Sequence, residues 1–270
     1  MGKYDGWLIV SDMDGTLLNP DKKISEENIN AIKYFTDNGG LFTIATGRTS
    51  DAVRPYMDII DVNAPAILNN GAELYDFLLD KSLYAKCIEE ERKEIIRRFH
   101  GEIPEPGIEV FTDKNTVYIY RTSSETERYE KRNMHVTYDM PESAWTENWI
   151  KVLIIGEKEL LDRIEPIYRA VYDKNYSVRS GAKYLDIVAN GVSKGMALKM
   201  LTSQLGIEHK HIIAIGNNMN DISMLYAAGT GIAVANAETA VKRAADIISG
   251  DNNTPVVKFA IDEIIDKKWV

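Results

Sequence analysis

The stretch Trp7-Leu8-Ile9-Val10-Ser11-Asp12-Met13-Asp14-Gly15-Thr16 decides how this chain is read. Four apolar residues run directly into two carboxylates and a glycine. A short apolar run of this kind suits a buried strand of an α/β sheet, with the polar residues at its carboxyl end. Side chains alternate along an extended segment, so Asp12 and Asp14 share a side. Two acids crowded there repel unless a cation or a shared proton lies between them. Magnesium suits such a place, because it prefers oxygen ligands and is commonly held by one or two carboxylates plus a substrate phosphate. The pair also permits a division of labour, with one carboxylate attacking and the other moving protons.

Working outward, strand and helix alternate. Ser25 is expected to cap a helix with Glu26 and Glu27 in its first turn and Gly39-Gly40 past its end. Residues 41–45 read as a second strand ending at Thr46-Gly47-Arg48, and 66–68 as a third ending at Asn69-Asn70-Gly71. The rhythm returns near the C-terminus. Ser193 is expected to cap a helix ending at Gly206, and a strand at 212–215 leads into Gly216-Asn217-Asn218-Met219-Asn220-Asp221. A helix to about Ala228, a strand at 231–234, a helix from near Glu238 and a strand at 247–248 follow. Such alternation implies a Rossmann-like parallel sheet covered on both faces. Ligands of such sheets bind beyond the carboxyl ends of the strands, where every polar cluster named here falls.

The middle of the chain has another pattern. Residues 89–100 read as a helix, 109–120 as a hairpin broken at Asp113-Lys114-Asn115, 149–155 as a strand and 159–172 as a helix. Residues 176–188 read as a second hairpin turning near Ser180-Gly181. The expectation is an α+β module at 83–189, inserted as a lid into a discontinuous core of 1–82 and 190–270.

Composition narrows the function. The 270 residues are 44% hydrophobic, enough for one large or two modest cores. A net charge of -9 argues against nucleic acid or an anionic membrane as partner. The single cysteine, Cys87, permits no intramolecular disulfide and no cysteine-based metal site, which fits a reducing cytoplasm. The first apolar run is too brief for a signal peptide, and nothing approaches the ~20 apolar residues of a membrane span. A monomer or weak homo-oligomer acting on a small phosphorylated substrate is expected. No G-x-G-x-x-G follows the first strand and no Walker A loop is present, so a dinucleotide or P-loop enzyme is disfavoured.

The other clusters extend the chemistry. Thr46 offers a hydroxyl and a backbone N–H to a phosphate oxygen. Lys194 follows the cap Ser193, where its ammonium adds to the positive end of a helix. The loop from Asn217 to Asp221 supplies further oxygens. His209 and His211 read as a polar loop rather than a metal site, and His100 and His135 are scattered.

In this order, D-x-D-G-T, T-G-R, the lysine in Gly191-Val192-Ser193-Lys194-Gly195 and the final Asn-Asp loop resemble the haloacid dehalogenase superfamily. More narrowly, the chain resembles the Cof-type phosphatases of subfamily IIB, with a large cap between the second and third motifs. The likeness spans essentially the whole chain. It implies an aspartyl-phosphate on Asp12. Asp14 would be the acid for the leaving alcohol and then the base for water. It also implies that Thr46 and Lys194 hold the transferring phosphoryl group, with Lys194 keeping Asp12 ionised. Met13, Gly47, Arg48, Asn70 and Asn220 would bind phosphate or substrate. Mg²⁺ would be held by Asp12, the backbone carbonyl of Asp14, Asn217 and Asp221. The implied reaction is Mg²⁺-dependent hydrolysis of small phosphorylated metabolites, sugar phosphates foremost. The alternatives are a sugar phosphomutase, or a phosphate-ligand-binding protein impaired in turnover.

One departure stands out. Asn217 occupies a place where the family usually has an acidic metal ligand, so weaker Mg²⁺ affinity or more direct use of Asp221 is expected. Substrate choice is expected from the cap, with Arg48, Asn70, Arg179, Lys183, Tyr184 and Asp186 as candidate contacts. Trp145 and Trp149 read as cap core, with a stacking platform as the alternative.

Overall fold

A computed structural model describes residues 2–129, 136–174 and 177–268; His135 and Tyr176, both read above, lie outside them. In chain order the elements begin with β1 (Leu8–Ser11), α1 (Glu26–Asp37), β2 (Leu41–Ile44), α2 (Ser50–Met57), β3 (Ala66–Leu68), β4 (Glu73–Asp76) and β5 (Lys81–Ala85). Then come α3 (Glu90–Glu102), β6 (Gly107–Thr112), β7 (Val117–Arg121), β8 (Val136–Tyr138), β9 (Trp149–Ile155), α4 (Lys158–Ile167), β10 (Ser177–Gly181) and β11 (Tyr184–Ile187). The chain closes with α5 (Lys194–Leu205), β12 (Ile212–Gly216), α6 (Ile222–Ala227), β13 (Thr230–Ala233), α7 (Thr239–Ala244), β14 (Ile247–Ile248) and α8 (Val256–Ala260). Two compact units result, Met1–Tyr84 with Ser193–Val270, and Ala85–Val192.

The first unit is built on a parallel sheet of order β14-β13-β12-β1-β2. Leu8, Ile9 and Val10 are wholly buried because β1 is central and neither face is left to solvent. Burial of each such side chain contributes roughly 1.5–3 kcal/mol. The helices start where the capping residues stand. The Ser25 hydroxyl accepts the Asn28 N–H at 3.3 Å and the Ser193 hydroxyl accepts the Met196 N–H at 3.1 Å. Gly206, left-handed at φ +67°, ends α5.

Residues 66–68 form the expected third strand, which lies beside the end of β2 through a parallel bridge between Ala45 and Ile67 and the Thr46 N–H bond to the Ile67 carbonyl. β3 also pairs antiparallel with β4, in a sheet of order β3-β4-β5 that was not expected. The cause is local: Asn69, Asn70 and Gly71 all adopt positive φ, at 50°, 58° and 98°, and reverse the chain. A Cβ on Gly71 would fall 2.2 Å from the Ser193 carbonyl oxygen, so glycine lets this turn press against the start of α5.

The second unit is a six-stranded sheet of order β10-β11-β9-β6-β7-β8. Only β7 and β8 run parallel, and β8 was not foreseen. Ile96 and Phe99 of α3 and Leu161 and Ile164 of α4 join Ile108, Val110, Val152, Ile154, Leu185 and Ile187 in one core. Trp149 belongs to that core, its indole N–H donating to the Ala144 carbonyl at 2.7 Å. Trp145 is partly buried beside it, with the Arg97 guanidinium 4.1 Å over its ring.

Candidate active site

β1 lies between β12 and β2, so the loops leaving the carboxyl ends of these three strands are neighbours. Asp12 continues β1, its N–H donating to the Ile215 carbonyl at 2.9 Å. Its side chain is buried against α5. Lys194 Nζ, fully buried, donates to Asp12 Oδ1 and Asp221 Oδ1, each at 2.6 Å. The other oxygen of Asp221 accepts the Asn217 N–H at 2.9 Å and the Asn218 N–H at 3.0 Å. Asp221 is thus engaged by the protein through both oxygens, which leaves it less free for the direct metal role considered above.

One ammonium faces two carboxylates here, away from water. Burial pushes the Asp12 carboxyl up to about 7, with Asp221 adding to the rise, and the pull of Lys194 does not outweigh them. Burial acts to lower the Lys194 ammonium, but Asp12 and Asp221 together hold it above its ordinary value.

Asp14 faces different groups. Arg48 Nε donates to its Oδ2 at 2.7 Å and Arg48 Nη2 to its Oδ1 at 2.8 Å, a two-pronged pairing. Lys22 Nζ adds a bond of 2.8 Å to Oδ1. Burial acts upward on this carboxyl, yet Arg48 and Lys22 hold it well below the usual range. Arg48, expected at the phosphate, is instead turned onto Asp14, and it also donates to the Ala52 carbonyl at 3.2 Å. Lys22 was not singled out from the sequence; it sits at φ 61° in the turn after β1, eight residues from Asp14.

Thr46 keeps only half of its expected function. Its backbone N–H donates to the Ile67 carbonyl at 2.8 Å and is taken. Its hydroxyl oxygen accepts the Arg48 N–H at 3.2 Å, which leaves the hydroxyl proton to donate. A Cβ on Gly47 would approach the Asn70 amide to 3.2 Å. Asn70 Oδ1 accepts from Asn220 Nδ2 at 2.9 Å, so residues 150 positions apart meet. Asn70 Nδ2 and Asn220 Oδ1 are buried without partners. The Met13 side chain is wholly in the core, so only its backbone can serve a ligand at the turn.

The amide of Asn217 lies over Gly15, where a Cβ would come within 2.4 Å of its Nδ2. Its Oδ1 is buried with no hydrogen-bond partner. Among the described residues no three His, Cys, Asp or Glu side chains gather as a metal cluster. An oxygen set for magnesium is nonetheless present in the Asp12 carboxylate, the Asp14 carbonyl and the unpartnered Asn217 amide oxygen, because Mg²⁺ completes its shell with water and substrate. The residues therefore fit this ion.

Two asparagines that drew no notice in the sequence reach the same turn. Asn236 Nδ2 donates to the Gly15 carbonyl and Asn252 Nδ2 to the Leu18 carbonyl, each at 2.8 Å. The candidate cap contacts are all engaged within the second unit. Arg179 pairs with Glu165 at 3.0 Å and Asp162 at 3.2 Å, and Lys183 with Glu157 at 2.9 Å and Glu125 at 3.3 Å. The Tyr184 hydroxyl donates to Glu125 at 2.9 Å, and buried Asp186 faces Lys151 at 3.5 Å.

Residues 9–261 match the haloacid dehalogenase-like hydrolases. The chain belongs to this family. It is 30% identical over 269 residues to the pyridoxal phosphate phosphatase YbhA of Escherichia coli, covering 96% of this chain and 98% of that protein. It is also 30% identical over 264 residues to the 5-amino-6-(5-phospho-D-ribitylamino)uracil phosphatase YcsE of Bacillus subtilis, covering 97% and 95%. A solved haloacid dehalogenase-like hydrolase from B. subtilis superposes with a TM-score of 0.81 at 26% identity, covering 95% and 99%. The chain is thus a Cof-type phosphatase, a phosphoric monoester hydrolase with a mixed α/β core.

Proposed function

We propose that this phosphatase hydrolyses small phosphorylated metabolites through an aspartyl-phosphate on Asp12, with Mg²⁺ as cofactor. The observation that carries the reading is the buried Lys194, whose ammonium joins Asp12 to Asp221 beside the unpartnered oxygen of Asn217. A lysine so placed neutralises charge where a phosphoryl group would arrive, and phosphoryl transfer depends chiefly on positioning and neutralisation. When bound, Mg²⁺ supplies a second positive charge to the phosphoryl oxygens and to Asp12.

Asp12 attacks phosphorus and the ester oxygen leaves with a proton from Asp14. Asp14 then takes a proton from the water that cleaves the acyl phosphate. The hydroxyl of Thr46 and the ammonium of Lys194 hold the phosphoryl oxygens. The backbone of Met13 and Gly47 and the amides of Asn70 and Asn220 border the same turn cluster. Asp221 acts through others, orienting Lys194 and the Asn217 loop. All these residues belong to the first unit and read only phosphate. We therefore assign substrate choice to the inserted module, residues 85–192. The named relatives act on a phosphorylated pyridoxal and on a phosphoribityl compound, which supports a small metabolite as substrate, sugar phosphates included. The single cysteine is consistent with work in the cytoplasm.

Phosphate release from p-nitrophenyl phosphate across a Mg²⁺ titration tests the reading, followed by a panel of sugar and cofactor phosphates. Turnover that requires Mg²⁺ and is lost in Asp12→Asn is the expected result. Equal turnover in a chelator would refute the metal assignment.

A further inference from the structure

Asp14 and Asn217 supply their oxygens from two separate loops, one after β1 and one after β12. The turn after β1 is closed by its own bonds, from Thr16 N–H and Leu18 N–H to the Met13 carbonyl and from Leu17 N–H to the Asp12 carbonyl. It also contains Gly15 at φ +80°, directly after the Asp14 carbonyl. Glycine rotates more freely than any other residue, so the position of the Asp14 carbonyl depends on how the next peptide is held, from inside by the Thr16 N–H bond at 3.2 Å and from outside at the Gly15 carbonyl.

Two amides hold it. Asn236 Nδ2 donates to the Gly15 carbonyl at 2.8 Å, and Asn252 Nδ2 to the Leu18 carbonyl at 2.8 Å. The Asn252 backbone N–H donates to Asn236 Oδ1 at 2.9 Å, tying the Asn236 side chain to the Asn252 backbone in one ladder. The ladder rests on the loops after β13 and β14, which are themselves tied by the Ala235 N–H to the Gly250 carbonyl at 3.0 Å. Two residues beyond Asn236, the Glu238 N–H donates to the Asn217 carbonyl at 3.0 Å. One short loop therefore grips both the turn that carries Asp14 and the loop that carries Asn217. Asparagine suits this task because one side chain both donates to a carbonyl and accepts an N–H.

We infer that Asn236 and Asn252 are positioning residues that set the Asp14 carbonyl and the Asn217 amide in register, and so govern Mg²⁺ affinity and turnover. They act through the backbone and touch no reacting atom. The inference rests on the magnesium-dependent reading above.

The test compares Asn236→Ala, Asn252→Ala and Asn252→Gln in the full chain. Asn253→Ala serves as the control on the same loop, since among the described residues its side chain bonds within its own turn, to Asp251. Mg²⁺ binding is measured by calorimetry, and kcat and KM with p-nitrophenyl phosphate. Exchange of the Leu17 and Leu18 amide hydrogens and the melting temperature are followed alongside. Both alanine variants should weaken Mg²⁺ binding and lower kcat by about tenfold, the low end of what the outer partners of metal ligands carry. KM should barely move, Leu17 and Leu18 should exchange faster, and Asn252→Gln should recover part of the loss. Alanine variants that match Asn253→Ala in Mg²⁺ affinity and kcat would overturn the inference, even if they melted lower. A natural chain that neither binds Mg²⁺ nor releases phosphate would refute the underlying reading, and this inference with it. A natural chain that does both while the alanine variants leave Leu17 and Leu18 exchange and Mg²⁺ affinity unchanged would overturn the inference alone.

Discussion

Asp12 and Asp14 are the same residue type, two positions apart, in opposite surroundings. Asp12 is buried, shares one lysine with a second acid, and has its carboxyl raised. Asp14 has a side chain 40% exposed, faces two cations of its own, and has its carboxyl held down. Phosphoryl transfer through this pair needs the reverse, an ionised nucleophile and a protonated acid. A divalent cation beside Asp12 would lower it. A phosphate or leaving group that draws Arg48 or Lys22 away would release Asp14. Environment, not identity, sets what a carboxylate can do.

The harshest way to break this contrast is to remove the attacking group. Asp12→Asn should cut phosphate release by at least about 10³-fold, since the proposed covalent step is lost with the attacking carboxylate; residual turnover near the natural level would contradict its role. Next comes the shared lysine. Lys194→Met leaves Asp12 and Asp221 facing each other without a cation. Chemical denaturation should show a loss of about 3–5 kcal/mol, the usual cost of breaking a buried pair from one side. Exchanging Asn217→Asp should lower the half-saturating Mg²⁺ by about tenfold, as one added charge beside the ion is worth a kcal/mol or more. An unchanged Mg²⁺ requirement would show that this amide does not meet the metal.

Proton linkage sharpens the contrast further. The folded chain holds the Asp12 proton up to about 7, above the ordinary 3.8. Its contribution to stability is full below the ordinary value and is lost as pH rises through about 7. Mg²⁺ held by Asp12 as proposed would displace that proton, so the thermal shift it produces should be larger at pH 8 than at pH 5.5, and Asp12→Asn should abolish the difference. The smallest effect is expected at Lys22. Its pair with Asp14 is exposed, and Lys22→Met should change stability by less than about 1 kcal/mol, measured by denaturant titration.

Much of this was legible in the chain. Ser25, Ser193 and Gly206 mark helix ends through local chemistry, and the apolar runs before Asp12 and Asn217 mark parallel strands. Asn69-Asn70-Gly71 marks the end of β3 through turn-prone residues, but that all three take positive φ and lead back into β4 follows from the fold. Contacts across the fold left no such trace. The Arg48–Asp14 pair spans 34 residues, the Asn70–Asn220 pair 150 and the Asn236–Gly15 bond 221. The taken N–H of Thr46 likewise follows from where β3 settles, which the local sequence does not state.

The most direct measurement is to quench the enzyme in acid during turnover with Mg²⁺ and map the peptides by mass. The account expects one phosphoryl group on the peptide containing Asp12, and none in Asp12→Asn. Turnover with no phosphorylated peptide, or with the group on another residue, would contradict it.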